Sequence, residues 1–331
     1  MTDEIRIDIK NIGLDQEFKS ETRALDEKVH DLIIIGAGPA GLSASIYASR
    51  YKLSHLLFGV EPGGQMNEIK SIENWPGTVM ISGADLIGNM VGHVKNFGME
   101  IKNLSISLIR KNNDGTFSVL AGREEYVSRA VILAMGAKYR TMNIPGEREF
   151  TGKGVSYCAT CDAMFFRDKV VSVIGGGNSA AVVALELTDF ASKVFLICRG
   201  EKVSADPVWI EKIAADSKIE VIKETNVIEI KGGEKVERII LDKPRDDKTF
   251  LEVDGVFIEV GSEPGVELAR KLGVETDEQN YIKVDAGQGT NVEGIYAAGD
   301  ITTGSNKFRQ ILMGAAEGAL AANSVYKKLK L

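Results

Sequence analysis

The stretch Val29-His30-Asp31-Leu32-Ile33-Ile34-Ile35, running into Gly36-Ala37-Gly38-Pro39-Ala40-Gly41, decides the fold. An apolar strand enters a glycine turn, and an alanine-rich helical stretch follows as far as Arg50. A G-x-G-x-x-G pattern alone is a weak sign. Between a strand and a helix it specifies a dinucleotide-binding unit. Gly36 permits the tight turn, Gly38 lets the backbone approach a pyrophosphate, and Gly41 lets helix and strand pack closely. The helix then presents unpaired N–H groups to the phosphates. A second strand, His55 to Phe58, leads to Gly59-Val60-Glu61-Pro62-Gly63-Gly64-Gln65.

The unit recurs. Val170-Val171-Ser172-Val173-Ile174 precedes Gly175-Gly176-Gly177-Asn178-Ser179-Ala180, with an apolar helix expected over 181–190 and a strand over 194–198. Ala180 stands where the third glycine would be, a permitted small residue at that contact. Two such turns, each in full context, predict an α/β chain with two nucleotide-binding domains.

Between the turns lies Tyr157-Cys158-Ala159-Thr160-Cys161-Asp162. Two thiols at this spacing close and reopen a disulfide readily, and the thiolate of such a pair is easily formed. A zinc site is the competing reading, but it needs two further ligands. Cys198, the third cysteine, and His30, His55 and His93 offer no ligand-like spacing. A structural disulfide is the other alternative. The pair reads as a redox dithiol, and Cys198 as a packing residue.

Composition narrows the class. Hydrophobic residues make up 44% and charged residues 26%, with a net charge of -7, so nothing basic points to nucleic acid or an acidic membrane surface. No apolar run approaches the roughly 20 residues that span a bilayer. Residues 1–28 are charged and lack an apolar core, so they do not read as a secretory signal, and the expected location is cytoplasmic. Within them Ile5, Ile7 and Ile9 alternate with Arg6, Asp8 and Lys10, which suits a short half-exposed strand or a mobile tail. Near the other end, Gly294-Ile295-Tyr296-Ala297-Ala298-Gly299-Asp300 reads as a short strand ending on a glycine and an acid. A helix is expected over 310–327, with small residues Gly314, Ala315, Ala316, Gly318 and Ala319 along it.

With these segments in place the chain resembles the low-molecular-weight thioredoxin reductases, FAD-dependent pyridine nucleotide–disulfide oxidoreductases. The resemblance rests on Gly36 to Gly41, Pro62-Gly63-Gly64-Gln65, Glu73-Asn74-Trp75-Pro76-Gly77, Ser156 to Asp162, Gly175 to Ala180, Gly294 to Asp300 and Phe308-Arg309-Gln310, in the family's order. It implies two Rossmann-like three-layer domains, the second inserted into the first: an FAD-binding domain of 1–139 plus 265–331, and an NAD(P)-binding domain of 140–264 carrying the dithiol. FAD is then expected along Gly36, Gly38, Pro39, Ala40 and Gly41. Further FAD contacts are expected from Gly59, Glu61, Gly63, Gly64, Gln65 and Met66, from Asn74 and Gly136, and from Gly299, Asp300, Arg309, Gln310 and Ile311. The nicotinamide nucleotide is expected at Gly175, Gly177, Asn178, Ser179 and Ala180, with Arg199 and Lys202.

The resemblance also implies the route. Electrons pass from a nicotinamide nucleotide through FAD to the Cys158–Cys161 disulfide and on to thioredoxin or a glutaredoxin-like protein. The two domains rotate against each other during turnover, and the family form is a homodimer. Cys161 faces the flavin, Cys158 attacks the partner, and Asp162 is placed to act as general acid. Ala163 departs from the family's frequent glycine. A larger departure follows the strand that reads the adenosine ribose, where the family's NADPH users carry His-Arg-Arg-x-x-x-Arg. Here the run is Cys198-Arg199-Gly200-Glu201-Lys202-Val203-Ser204. One arginine with Lys202 makes a thin site for a 2′-phosphate, and Glu201 suits a free 2′-hydroxyl. The donor is left as NADPH, NADH or another carrier. The alternative functions are a flavoprotein without a thiol step and an FAD-binding redox sensor.

Overall fold

The structure, a computed structural model, describes residues 24–69, 71–245 and 247–331. The alternation at Ile5, Ile7 and Ile9 lies outside the described residues. The fold is mixed α/β, with two compact units, each built on its own sheet. The first takes the chain up to Ala137 and again over Pro264–Leu331, and the second is Lys138–Glu263. The boundaries expected from the sequence fall slightly beyond these.

In the first unit, β1 (Ala24–Ile35) starts before the apolar run that announced it. Its opening residues pair with a distant strand, Ala24 with Glu124 and Leu25 with Glu125, before an irregularity and a resumption at Val29. The glycine turn leads into α1 (Pro39–Arg50), whose proline at the first position sacrifices no hydrogen bond. β2 (His55–Phe58) runs parallel to β1. In α2 (Gly83–Asn96) the Ser82 hydroxyl accepts from Asp85 N–H at 3.1 Å and caps the first turn. β3 (Ile101–Lys102) extends the parallel side. β4 (Ile106–Lys111), β5 (Phe117–Ala121) and β6 (Glu124–Leu133) form an antiparallel meander whose last strand also runs parallel to β1. Leu32, Ile33 and Ile34 are wholly buried, as a strand covered on both faces requires.

The chain leaves this unit along β7 (Ala137–Tyr139). The second unit contains β8 (Val155–Ser156), the single-turn helix α3 (Ala159–Asp162), β9 (Val170–Ile174), α4 (Asn178–Thr188) and β10 (Lys193–Ile197). α5 (Pro207–Ala215) and β11 (Ile219–Ile222) follow. A separate antiparallel sheet of β12 (Val227–Gly232), β13 (Val236–Arg245) and β14 (Lys248–Glu252) comes next, then β15 (Gly255–Ile258). The main sheet is parallel throughout, in the order β11-β10-β9-β15-β8. The helix expected over 181–190 begins earlier, at Asn178, because the glycine turn itself forms its N-terminus.

The return runs through β16 (Ser262–Pro264), paired with β7, and α6 (Glu267–Lys271) to β17 (Ile295–Ala297), which joins the first sheet beside β6. The C-terminal α7 (Ile311–Lys330) packs on α1. A Cβ added at Gly318 would lie 1.9 Å from the Ala40 carbonyl oxygen, so the two backbones meet there. That contact explains the glycine at 318, whereas Ala316 is exposed. Among the described residues no helix is long and apolar enough to cross a membrane.

Candidate active site

The first glycine turn is held by close backbone contacts. Gly36 has φ +109°, and a Cβ there would sit 2.1 Å from the Ala134 carbonyl oxygen at the end of β6. A Cβ on Gly41 would lie 1.7 Å from the Gly36 carbonyl oxygen. A Cβ on Gly38 meets nothing within 4 Å, so that side of the turn is open to a ligand. Pro39 and Ala40 begin α1 directly over it.

The other residues expected at this site arrive from far along the chain. Gly59 lies against Ala37, where its Cβ would meet the alanine Cβ at 2.4 Å. Gly63 donates its N–H to the Ala37 carbonyl at 2.8 Å and Gly64 donates to that of Glu61 at 3.1 Å, folding the loop back on the turn. Met66 is buried beneath this loop, while Glu61 is exposed on it. Gln65 donates to the Ala137 carbonyl at 3.0 Å, one residue after Gly136, which is left-handed at φ +63°. Asn74 donates to the Gln310 side-chain oxygen at 2.9 Å and so brings two predicted ligands together. Ile311 opens α7 immediately after Gln310.

At the end of β17, Gly299 and Asp300 line a small cavity with Arg309, Gly314 and Glu317. Burial pushes the Asp300 carboxyl above the usual carboxylate range; Arg309 opposes the shift and Glu317 adds to it. The Arg309 guanidinium stacks 4.0 Å from the Tyr281 ring centroid, and its Nε is buried without a protein partner. The open face at Gly38, the polar acids and the orphaned arginine N–H fit a group that brings phosphates and sugar hydroxyls. Sequence reasoning missed Glu317, which is 4% exposed and accepts from Gly299 N–H at 2.8 Å and the Thr302 hydroxyl at 3.1 Å. Its signal was a lone carboxylate among the small residues of α7. Tyr281 was also missed, and nothing local marks it.

In the second unit Cys158 and Cys161 form a disulfide with Cα atoms 5.4 Å apart. Cys158 is half-buried and Cys161 exposed. The Cys161 N–H donates to the Cys158 sulfur at 3.1 Å. A backbone N–H in that place favours a thiolate on Cys158 once the bond opens. The Ser156 hydroxyl accepts from Cys158 N–H at 3.1 Å and steadies the residue. The preceding Tyr157 donates its phenol to Glu147 at 2.7 Å; burial first, and that carboxylate second, raise its pKa well beyond the ordinary range. Asp162 lines a cavity of about 330 Å³ with Lys153, Lys169, Phe165 and Phe166. Met164 and Phe165 are 64% and 72% exposed beside the dithiol. Ala163 has φ −53°, which any residue adopts, so the family's frequent glycine is not required here.

The second glycine turn has Gly175 at φ +151°, where a Cβ would meet the Glu259 carbonyl oxygen at 2.2 Å. Gly177 is open, with nothing within 4 Å of an added Cβ. Asn178 and Ser179 begin α4, and Ala180 is wholly buried against the sheet. Arg199 and Lys202 are exposed on the loop after β10. Cys198 is 4% exposed, and burial raises its pKa, as suits a packing residue.

Comparison with known proteins agrees with this geometry. Residues 30–319 match the family model described as pyridine nucleotide-disulphide oxidoreductase. The chain is 40% identical over 304 residues to a thioredoxin reductase of Bacillus subtilis, covering 91% of this chain and 95% of that protein. It is 40% identical over 308 residues to one from Listeria innocua, covering 92% and 95%. The crystal structure of Lactococcus lactis thioredoxin reductase superposes with a TM-score of 0.86 at 36% identity, covering 90% of this chain and 98% of that one. The chain therefore belongs to the pyridine nucleotide-disulphide oxidoreductases and, within them, to the low-molecular-weight thioredoxin reductases.

Proposed function

We propose that this protein is a thioredoxin-disulfide reductase that moves two electrons from a reduced nicotinamide nucleotide, through FAD held by the first unit, to Cys158–Cys161 and then to thioredoxin or a glutaredoxin-like protein. The observation that carries the reading is a closed disulfide on the same unit as an open glycine turn, in a chain of this family. FAD supplies a two-electron relay between the nucleotide and the disulfide. Gly36 to Gly41 would hold its pyrophosphate, Asp300 would accept from a sugar hydroxyl, and Arg309 would face its polar portion.

Two electrons and two protons convert the Cys158–Cys161 disulfide to a dithiol. The Cys158 thiolate, favoured by the Cys161 N–H, attacks a sulfur of the partner's disulfide. A Cys158–partner mixed disulfide forms, the partner's S–S bond breaks, and its departing thiolate takes up the proton that the Cys158 thiol gave up, with Asp162 placed to relay it. Cys161 then attacks Cys158 sulfur, re-forming the internal disulfide and releasing the partner's second thiol. Exposed Met164 and Phe165 offer the partner an apolar surface next to Cys161. The working form is a homodimer, which analytical ultracentrifugation checks, and the working place is the cytoplasm.

Anaerobic stopped-flow mixing tests the reading. Bleaching of the flavin by NADPH or NADH, followed by reduction of a thioredoxin disulfide, is expected. Bleaching without thiol transfer would favour a flavoprotein that passes electrons elsewhere. No bleaching by either nucleotide would favour another donor or a redox sensor. Cys158→Ser should keep flavin reduction and lose thioredoxin turnover by at least about 10³-fold; retained turnover would remove Cys158 from its role.

A further inference from the structure

We propose that the adenosine-ribose end of the second glycine turn takes a ribose with a free 2′-hydroxyl, so that the nucleotide donor is NADH rather than NADPH. This rests on the reading that a nicotinamide nucleotide binds the second unit. A 2′-phosphate carries close to two negative charges and needs a local surplus of cations, best as guanidinium groups that bond it in pairs. Among the described residues no such surplus meets at the end of β10.

Three segments meet there. The loop after β10 contributes Arg199, Glu201 and Lys202, all exposed. The segment after β11 lies alongside it, with Thr225 N–H donating to the Cys198 carbonyl at 3.2 Å and Glu224 N–H to that of Gly200 at 3.1 Å. That pairing adds Lys223 and Glu224, a cation and an anion. The start of α5 comes in from the third side. Asp206 N–H donates to the Asn178 side-chain oxygen at 2.7 Å, which sets an exposed carboxylate near the first turn of α4. The three segments thus carry Arg199, Lys202 and Lys223 against Glu201, Glu224 and Asp206, with no net positive charge among them.

The two positions at which the resemblance places further arginines in NADPH users carry none here. Gly200 has no side chain. Ser204 donates both its N–H, at 2.6 Å, and its hydroxyl, at 2.9 Å, to the Gly176 carbonyl, so its hydroxyl is already engaged. Cys198, the first residue past the strand, packs against Gly176, where an added Cβ would be 3.1 Å from the cysteine Cβ. The rest of the turn keeps its open face at Gly177, so the pyrophosphate-binding half is intact while the phosphate-reading half is not.

Isothermal titration of the FAD-loaded protein with 5′-AMP and with 2′,5′-ADP tests this without turnover. Wild type should bind 2′,5′-ADP no more than about threefold more tightly than 5′-AMP. A larger preference for 2′,5′-ADP would overturn the proposal, and so would failure to bind either compound. Gly200→Arg is a mild variant, because an added Cβ makes only an ordinary 3.4 Å contact with the Lys202 carbonyl oxygen. Alone, and more so with Ser204→Arg, it should tighten 2′,5′-ADP by about tenfold or more, in a salt-dependent way, and leave 5′-AMP unchanged. No tightening in either variant would place the ribose elsewhere and overturn the assignment. Thioredoxin reduction by dithionite-reduced protein needs no nucleotide, so it reports separately on the thiol chemistry.

Discussion

The two glycine turns share a plan and differ in tolerance. In the first, the third glycine is obligatory, because a Cβ on Gly41 would fall 1.7 Å from the Gly36 carbonyl oxygen. In the second, the equivalent position is Ala180, wholly buried, with its methyl 3.0 Å from the place of a Cβ on Gly175. The first turn is also served by distant polar groups: Asp300, Glu317 and Arg309 come from the far end of the chain. Beside the second, the charged residues Arg199, Glu201, Lys202, Asp206, Lys223 and Glu224 are all exposed. The contrast is one of construction: a buried carboxylate from a distant segment, Glu317, stands by the first turn, while the charged side chains beside the second are exposed.

Three substitutions would break or sharpen that contrast. Gly41→Ala should have the largest effect, costing about 3 kcal/mol or more through backbone overlap and abolishing flavin retention. Urea melts and the flavin spectrum of the purified variant report both, and a yellow, stable protein would show that the turn can relax. Asp300→Asn comes next. It should weaken FAD binding by about tenfold or more through loss of a charged acceptor, measured by fluorescence on apoprotein reconstitution.

The same substitution has a pH signature. Burial raises the Asp300 pKa, so the native state keeps a proton that the unfolded chain has already released. The contribution of this group to stability is therefore full below the ordinary carboxylate range. It is lost as pH rises through the raised value. Apoprotein carrying Asp300→Asn should lose less stability across that window than wild type, and at neutral pH it should be the more stable of the two. Equal pH slopes for the two apoproteins would contradict the burial argument.

The smallest effect is expected from Ala180→Gly, about 1 kcal/mol from helix entropy and a lost buried methyl. Flavin content should be unchanged. A loss as large as that of Gly41→Ala would mean that the two turns are not as different as their contacts indicate.

Much of this was legible along the chain. The strand, glycine turn and helix at 29–50, and again at 170–188, are local patterns, and so is the dithiol at Cys158 and Cys161. Other features were not, because they arise where remote segments meet. β1 begins at Ala24 because Glu124 and Glu125 supply its pairing, not because its first residues alternate. Glu317 looks like a solvated helix residue until β17 brings Gly299 to it. The Asn74–Gln310 hydrogen bond joins residues 236 positions apart, and no local rule anticipates it.

By itself the sequence determined the α/β class, two glycine turns between strand and helix, and the cysteine pair, since each needs only neighbouring residues and a short-range backbone geometry. Tertiary structure alone decided which carboxylates are buried, which hydroxyls are already engaged and how the charges near Arg199 balance. Those properties depend on distances between segments that the chain order does not contain.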